Sequence, residues 1–328
     1  MQGIDLAILI VILGLMFDYT NGFHDAANVV STVVATRVLT PLAAIILAGI
    51  LNTIGATQVS NVAKTIISGL VDPISASPYM ILSAVIGAIF WNLLTWYFGI
   101  PSSSSYALVG GLVGAAWFSN GIEAVLWGGV LAKVIIPMII SPIVGFILAF
   151  CFMKILYSMD TSEKKVGKLF RRLQIGSASI VALSHGLNDA QKSMGLITLG
   201  LIATGFLQTM SVPLWVILSC AVVMGLGTAS GGFRIIRTMG FEITKLEPVQ
   251  GFAAELGASA VILAASYLGM PISSTHMIAG SITGVGVAKG RKAVKWGVTH
   301  AIIVAMVFTL PGAGLVAALF YKLISVIF

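Results

Sequence analysis

Apolar runs follow one another along the whole of this chain: "LAILIVILGLMF", "PLAAIILAGIL", "YMILSAVIGAIFWNLLTWYF", "VIIPMIISPIVGFILAFCF", "SVPLWVILSCAVVMGL" and "AIIVAMVFTLPGAGLVAALF". A bilayer core about 30 Å thick takes about 20 such residues per helix. Backbone inside it must satisfy its own hydrogen bonds, which leaves helices or a closed barrel. Barrel strands alternate polar and apolar residues, and these runs do not. The chain therefore reads as an all-α polytopic membrane protein of about 10–12 membrane elements, at roughly 20 residues per span plus turns. Hydrophobic residues make up 58% of the 328 and charged ones 9%, with a mean hydropathy of +1.05, so no stretch is left for a separate soluble domain. "MQGIDLAILIVILGLMF" has neither a basic start nor a small-residue cleavage site, so it is not read as a signal peptide.

The formal charge of +7 does not point to nucleic acid, because it is concentrated. Ten of the 18 Lys and Arg lie in two groups, one of Lys154, Lys164, Lys165, Lys168, Arg171 and Arg172, the other of Lys289, Arg291, Lys292 and Lys295. Short basic loops of this kind mark the cytoplasmic side of a membrane protein. Cys151 and Cys220 stand singly in apolar runs, supporting neither a disulfide framework nor a metal site.

Internal repetition sets the plan. "GFHDAAN" (22–28) has a counterpart in "GLNDAQK" (186–192), offset by 164 residues. "YFGIPSSSSYALVGGLVG" (97–114) lies against "YLGMPISSTHMIAGSITG" (267–284) at an offset of 170, and Trp127-Gly128 with Pro142 and Gly145 lies against Trp296-Gly297 with Pro311 and Gly314 at 169. Three blocks in one order at nearly one offset indicate a duplication. It divides the chain into repeats 1–157 and 175–328, joined by a basic linker at 158–174. A cytoplasmic linker and a basic-free "MQGID" put both termini outside the cell's inner membrane and give the repeats opposite orientation. Inverted repeats with paired interrupted helices are a recurrent plan of secondary transporters.

The repeated blocks carry two chemistries. In "GIPSSSS" and "GMPISST", glycine and proline end one helix and hydroxyl residues cap the next. Each is expected to form a re-entrant, serine-tipped hairpin whose unpaired N–H groups and hydroxyls suit an oxyanion. Asp25 and Asp189 are acids at membrane depth, costly there unless they meet a cation, a proton or a wet cavity. With Asn21, Asn28, Asn188 and carbonyls of a helix expected to be interrupted at "GFHDAAN", they suit Na+ or H+. The four motifs together describe a cation-coupled anion symporter. No "GxxxxGK[ST]" loop supports an ATP-driven pump. The histidines beside the aspartates read as packed or hydrogen-bonded, since no metal-ligand spacing such as "HExxH" occurs.

"GFHDAANVVST", "HGLNDAQKSMGL", "GIPSSSSYALVGG", "GMPISSTHMIAGS" and "GGFRIIRTMG" resemble, in order and over nearly the whole chain, the inorganic phosphate transporter (PiT) family of sodium- or proton-coupled phosphate symporters. The resemblance implies a phosphate site of Asn28, Ser103, Ser104, Ser105, Ser273, Ser274 and Thr275. It implies cation coordination by Asp25, Asn188 and Asp189, a transport role for Glu255, and a homodimer. Asn21 and Glu255 are placed with the sodium set, and Gln191 and Lys192 with phosphate; for Lys192, pairing with an aspartate is the competing reading. His24, Asn52 and Tyr106 depart from the family pattern. The function expected is phosphate import coupled to Na+, without covalent catalysis or a cofactor, the alternatives being a proton-coupled phosphate or metal-phosphate permease, a sulfate permease or an anion channel.

Overall fold

The computed structural model describes residues 3–158 and 164–327. The first repeat holds α1 (Gly3–Ala35), α2 (Pro41–Ala56), α3 (Asn61–Ser68), α4 (Pro78–Tyr97), α5 (Ser104–Asn120), α6 (Trp127–Val130) and α7 (Ile136–Ser158). The second holds α8 (Lys164–Ala203), α9 (Leu214–Ser230), α10 (Phe233–Arg237), α11 (Pro248–Tyr267), α12 (Ser274–Lys289) and α13 (Trp296–Ile327). A π-helical turn, Leu131–Ile135, joins α6 to α7, and another, Thr238–Glu242, extends α10. Read as rods, the repeats share one order: a long helix, a bent pair, two helices flanking a polar break, and a long last helix. Among the described residues, five helical rods are long and apolar enough to cross a bilayer alone, or up to seven if each bent pair counts as one span.

The bends lie elsewhere than the polar signatures. α2 turns into α3 by 68°, and α9 into α10 and its π turn by 61°. "GFHDAAN" and "GLNDAQK" lie inside the unbroken α1 and α8, so the interruption expected there is not present. Neither stretch contains proline, and apart from Gln191, whose Nε2 donates to Leu187 O at 2.5 Å, the polar side chains bond to other side chains and to neighbouring elements instead of competing for their own backbone. Residues 164–174, expected as linker, form the first turns of α8, while 159–163 lie outside the described residues.

The expected hairpin tips are present. Gly99 (φ 66°) and Gly269 (φ 67°) take the left-handed conformation that only glycine adopts readily, ending α4 and α11. Ser103 Oγ then accepts from Tyr106 N at 3.2 Å and Ser273 Oγ from His276 N at 3.3 Å, starting α5 and α12. A cation from the opposite repeat meets each preceding helix at its C-terminus: Arg234 donates to Tyr97 O (2.6 Å) and Lys133 to Leu268 O (3.0 Å), where the helix dipole favours positive charge.

The repeats exchange partners. α5 packs on α13 and α12 on α7, so each tip helix lies against the last helix of the other repeat. The duplicated glycines make this possible. A Cβ on Gly114 would stand 2.2 Å from Gly314 O, and one on Gly284 2.3 Å from Phe146 O; only hydrogen fits such contacts, as in small-residue packing between membrane helices. Along α1, residues up to Phe17 join two apolar clusters and those from Ala27 a third, leaving the polar stretch between them.

Candidate functional site

Polar residues of α1 recur at helical spacing: Asp18, Asn21, Asp25, Asn28 and Thr32, all buried. This face and its counterpart on α8 meet both tips. Ser104 Oγ lies 2.5 Å from Asn21 Oδ1 and also donates to Asp25. His24 Nδ1 is 2.8 Å from the other Asp25 oxygen, and its Nε2 is 3.3 Å from Thr95 Oγ1. From the second tip, Thr275 Oγ1 is 3.4 Å from Asp25 Oδ1 and donates to Ser102 O at 2.9 Å. Asn28 Nδ2 donates to Thr275 Oγ1 at 2.9 Å and Ser274 Oγ at 3.2 Å.

Around Asp189 the arrangement is similar but not identical. Ser274 Oγ donates to Asp189 Oδ2 at 3.2 Å, and His185 Nε2 lies 3.1 Å from that oxygen. Lys192 Nζ donates to Asp189 Oδ1, to Ser105 Oγ and, at 3.1 Å, to Ile272 O. Lys192 and Asp189 are wholly shielded from solvent; a buried pair of this kind survives only when both partners are further hydrogen-bonded, as these are. One ligand atom each from Asp25, His185 and Asp189 lie within 4.8 Å of one another. Both aspartates and both hydroxyl tips thus share one buried centre.

Other expected residues are placed differently. Ser103 and Ser273 are caps at the edge of this centre. Asn188 turns to α11, donating to Ser266 Oγ at 2.9 Å and Met270 O at 3.2 Å. Gln191 points to α3, where its Oε1 accepts from Val62 N (2.8 Å) and Ala63 N (3.2 Å), and so caps that helix instead of facing the tips. Glu255 belongs to a second polar cluster: it accepts from Thr32 Oγ1 (2.6 Å), Gln174 Nε2 (3.1 Å) and Ser177. Among the departures from the family pattern, Asn52 donates to Thr228 Oγ1 at 2.7 Å and lies beside His185. Tyr106 stacks on His276 with centroids 5.5 Å apart.

Two further residues of the centre do not stand out in the sequence: Ser102, whose carbonyl meets Thr275, and Asp18, which accepts from Ser193 Oγ at 2.6 Å. The spacing of Asp18 from Asn21 and Asp25 on one helical face is a signal that could have found it.

A multi-helix membrane fold that brings two acids and two hydroxyl-capped helix ends to one enclosed centre is that of a transporter, not an enzyme. The profile of the phosphate transporter family matches residues 21–165 and again 157–317. The chain belongs to that family. A Bacillus subtilis relative is 45% identical, with 98% of each chain covered. A Mycobacterium bovis relative is 44% identical over 98% of this chain and 78% of its own. Both carry the name "probable low-affinity inorganic phosphate transporter". A solved structure named "The sodium-dependent phosphate transporter" matches with a TM-score of 0.89 and 26% identity, covering 99% of this chain and 100% of that one.

Proposed function

We propose that this transporter carries inorganic phosphate into the cell with Na+ as the coupling ion, by exposing the buried centre to each side of the inner membrane in turn. The observation that carries the reading is the meeting of Ser104, Ser105, Ser274 and Thr275 with Asp25 and Asp189. Hydroxyls and the first N–H groups of α5 and α12 offer donors to a tetrahedral oxyanion. The carboxylates, with Asn21 and the carbonyl of Ser102, offer the oxygen ligands that hard cations take. Asn28 joins the hydroxyls through its bonds to Ser274 and Thr275. Likeness to a solved transporter named as sodium-dependent and phosphate-carrying supports both parts of the reading.

Asn188 and Glu255 then act from the margin, Glu255 as a further buried carboxylate beside α1 through its bond from Thr32. The basic linker and the basic-free N-terminus support repeats of opposite orientation with both termini outside, and the family resemblance supports a homodimer. Two charges on HPO4 at neutral pH call for at least two Na+ if transport is to be electrically neutral. Phosphate uptake into proteoliposomes, with Na+, pH and competing sulfate varied separately, tests the reading. Uptake that is unchanged when choline replaces Na+ at fixed pH refutes sodium coupling, and equal competition by sulfate refutes phosphate selectivity.

A further inference from the structure

Related positions at the centre do not hold related groups. At the offsets of the two repeated blocks, Asp25 matches Asp189, Ser102 matches Ile272 and Thr275 is matched by Ser105. In one set, the Thr275 hydroxyl donates to the Ser102 carbonyl at 2.9 Å and lies 3.4 Å from Asp25. In the other, the Ser105 hydroxyl donates to the Ile272 carbonyl at 3.0 Å, and Asp189 is joined to it by the shared Lys192 ammonium. Each set thus joins a carboxylate, a hydroxyl and a backbone carbonyl, and each draws on both repeats. The first is completed by Asn28, whose Oδ1 is buried without a hydrogen-bond partner among the described residues. The second is completed by Lys192, whose ammonium donates to all three oxygens.

Carboxylate, hydroxyl and carbonyl oxygens are the donor types that a hard monovalent or divalent ion takes. A lysine ammonium is a compact point charge with three donors and no acceptor, so it meets the same three oxygens as an ion would. Resting on the sodium-coupled reading above, we propose that Lys192 is a tethered substitute for a coupling cation: its ammonium fills the ion position of the second repeat, and the tips load Na+ only at the Asp25 set. The charge on Lys192 stays with the protein through the cycle, holding Asp189 neutralised and the second tip in place. A second coupling ion has to load away from the tips.

The experiment is 22Na+ binding to purified protein in the absence of phosphate, counted per chain, with uptake measured in parallel. Lys192→Asn, which copies Asn28 of the first repeat, is expected to bind one Na+ more than the wild type and to show a steeper dependence of uptake on Na+. Lys192→Arg is expected to keep the wild-type count. Asp25→Asn is expected to lose one ion, and Asp189→Asn to keep the wild-type count although its uptake fails. An unchanged count in folded Lys192→Asn overturns the proposal, and with a raised phosphate KM it makes Lys192 an anion ligand. Loss of an ion in Asp189→Asn overturns it as well, independently of whether Lys192→Asn folds. A wild type that binds no Na+ and ignores choline replacement removes the sodium reading itself and this proposal with it, whereas sodium-dependent wild-type uptake with failed counts removes the proposal alone.

Discussion

Gly284→Ala tests whether the exchange of helices between repeats is as close as described. The added Cβ would stand 2.3 Å from Phe146 O, 3.1 Å from its carbonyl carbon and 3.1 Å from its Cα. Backbone atoms cannot rotate away, so α12 and α7 have to separate by about 1 Å to restore ordinary contact. Overpacking of this kind costs about 1–3 kcal/mol. Alanine also returns about 1 kcal/mol of helix propensity, which a control must cancel. Gly176→Ala supplies it: Gly176 is exposed within α8, and a Cβ there meets nothing within 4 Å. The difference between the two variants isolates the overpacking. Since α12 begins at Ser274 and Thr275, its displacement also moves both hydroxyls, and misplacing a positioned group by about 1 Å can cost on the order of 100-fold in rate. Detergent melting curves and proteoliposome uptake at equal protein are the assays. Gly284→Ala is expected to melt below Gly176→Ala and to transport at least tenfold more slowly, an estimate that takes only part of that penalty. Equal melting and wild-type uptake in Gly284→Ala would refute the close packing.

Asp25→Asn is expected to insert and purify but not to take up phosphate, because a carboxylate contributes up to about 4 kcal/mol to a cation about 4 Å away at an effective dielectric near 20; normal uptake removes Asp25 from the ion site. Gln191→Leu leaves the N–H groups of Val62 and Ala63 without their buried acceptor at a cost of about 1–3 kcal/mol. It is expected to lower the melting temperature and leave the phosphate KM unchanged, and a raised KM in a stable variant contradicts the capping role. Glu255→Gln keeps the shape of its cluster with Thr32, Gln174 and Ser177 while removing the charge. It is expected to fold and to lose uptake, which parallel melting and uptake curves check.

The architecture was legible where it is repeated. The "GIPSSSS" and "GMPISST" blocks announced two tips because glycine, proline and serine each act locally, and the tips form where those residues stand. Asp25 and Asp189 were likewise legible as a duplicated pair, and the structure brings them to one centre. The continuity of α1 was not legible: asparagine, aspartate and glycine weaken an isolated helix, but here tertiary partners such as Ser104 and Thr275 take their side chains. Gln191 was misplaced for a related reason. Its neighbours in sequence face the tips, but Gln191 points elsewhere on the helix, to α3. The cross-packing glycines were visible as a repeat, but nothing in either repeat alone says that Gly114 meets Gly314 and Gly284 meets Phe146.

That exchange bears on how the molecule can be divided. The helix pairs α5–α13 and α12–α7 each take one member from either repeat, so the packing units cut across the duplication. A chain severed between its repeats would keep α5 on α4 and α12 on α11 but would part each tip helix from the last helix of the other repeat.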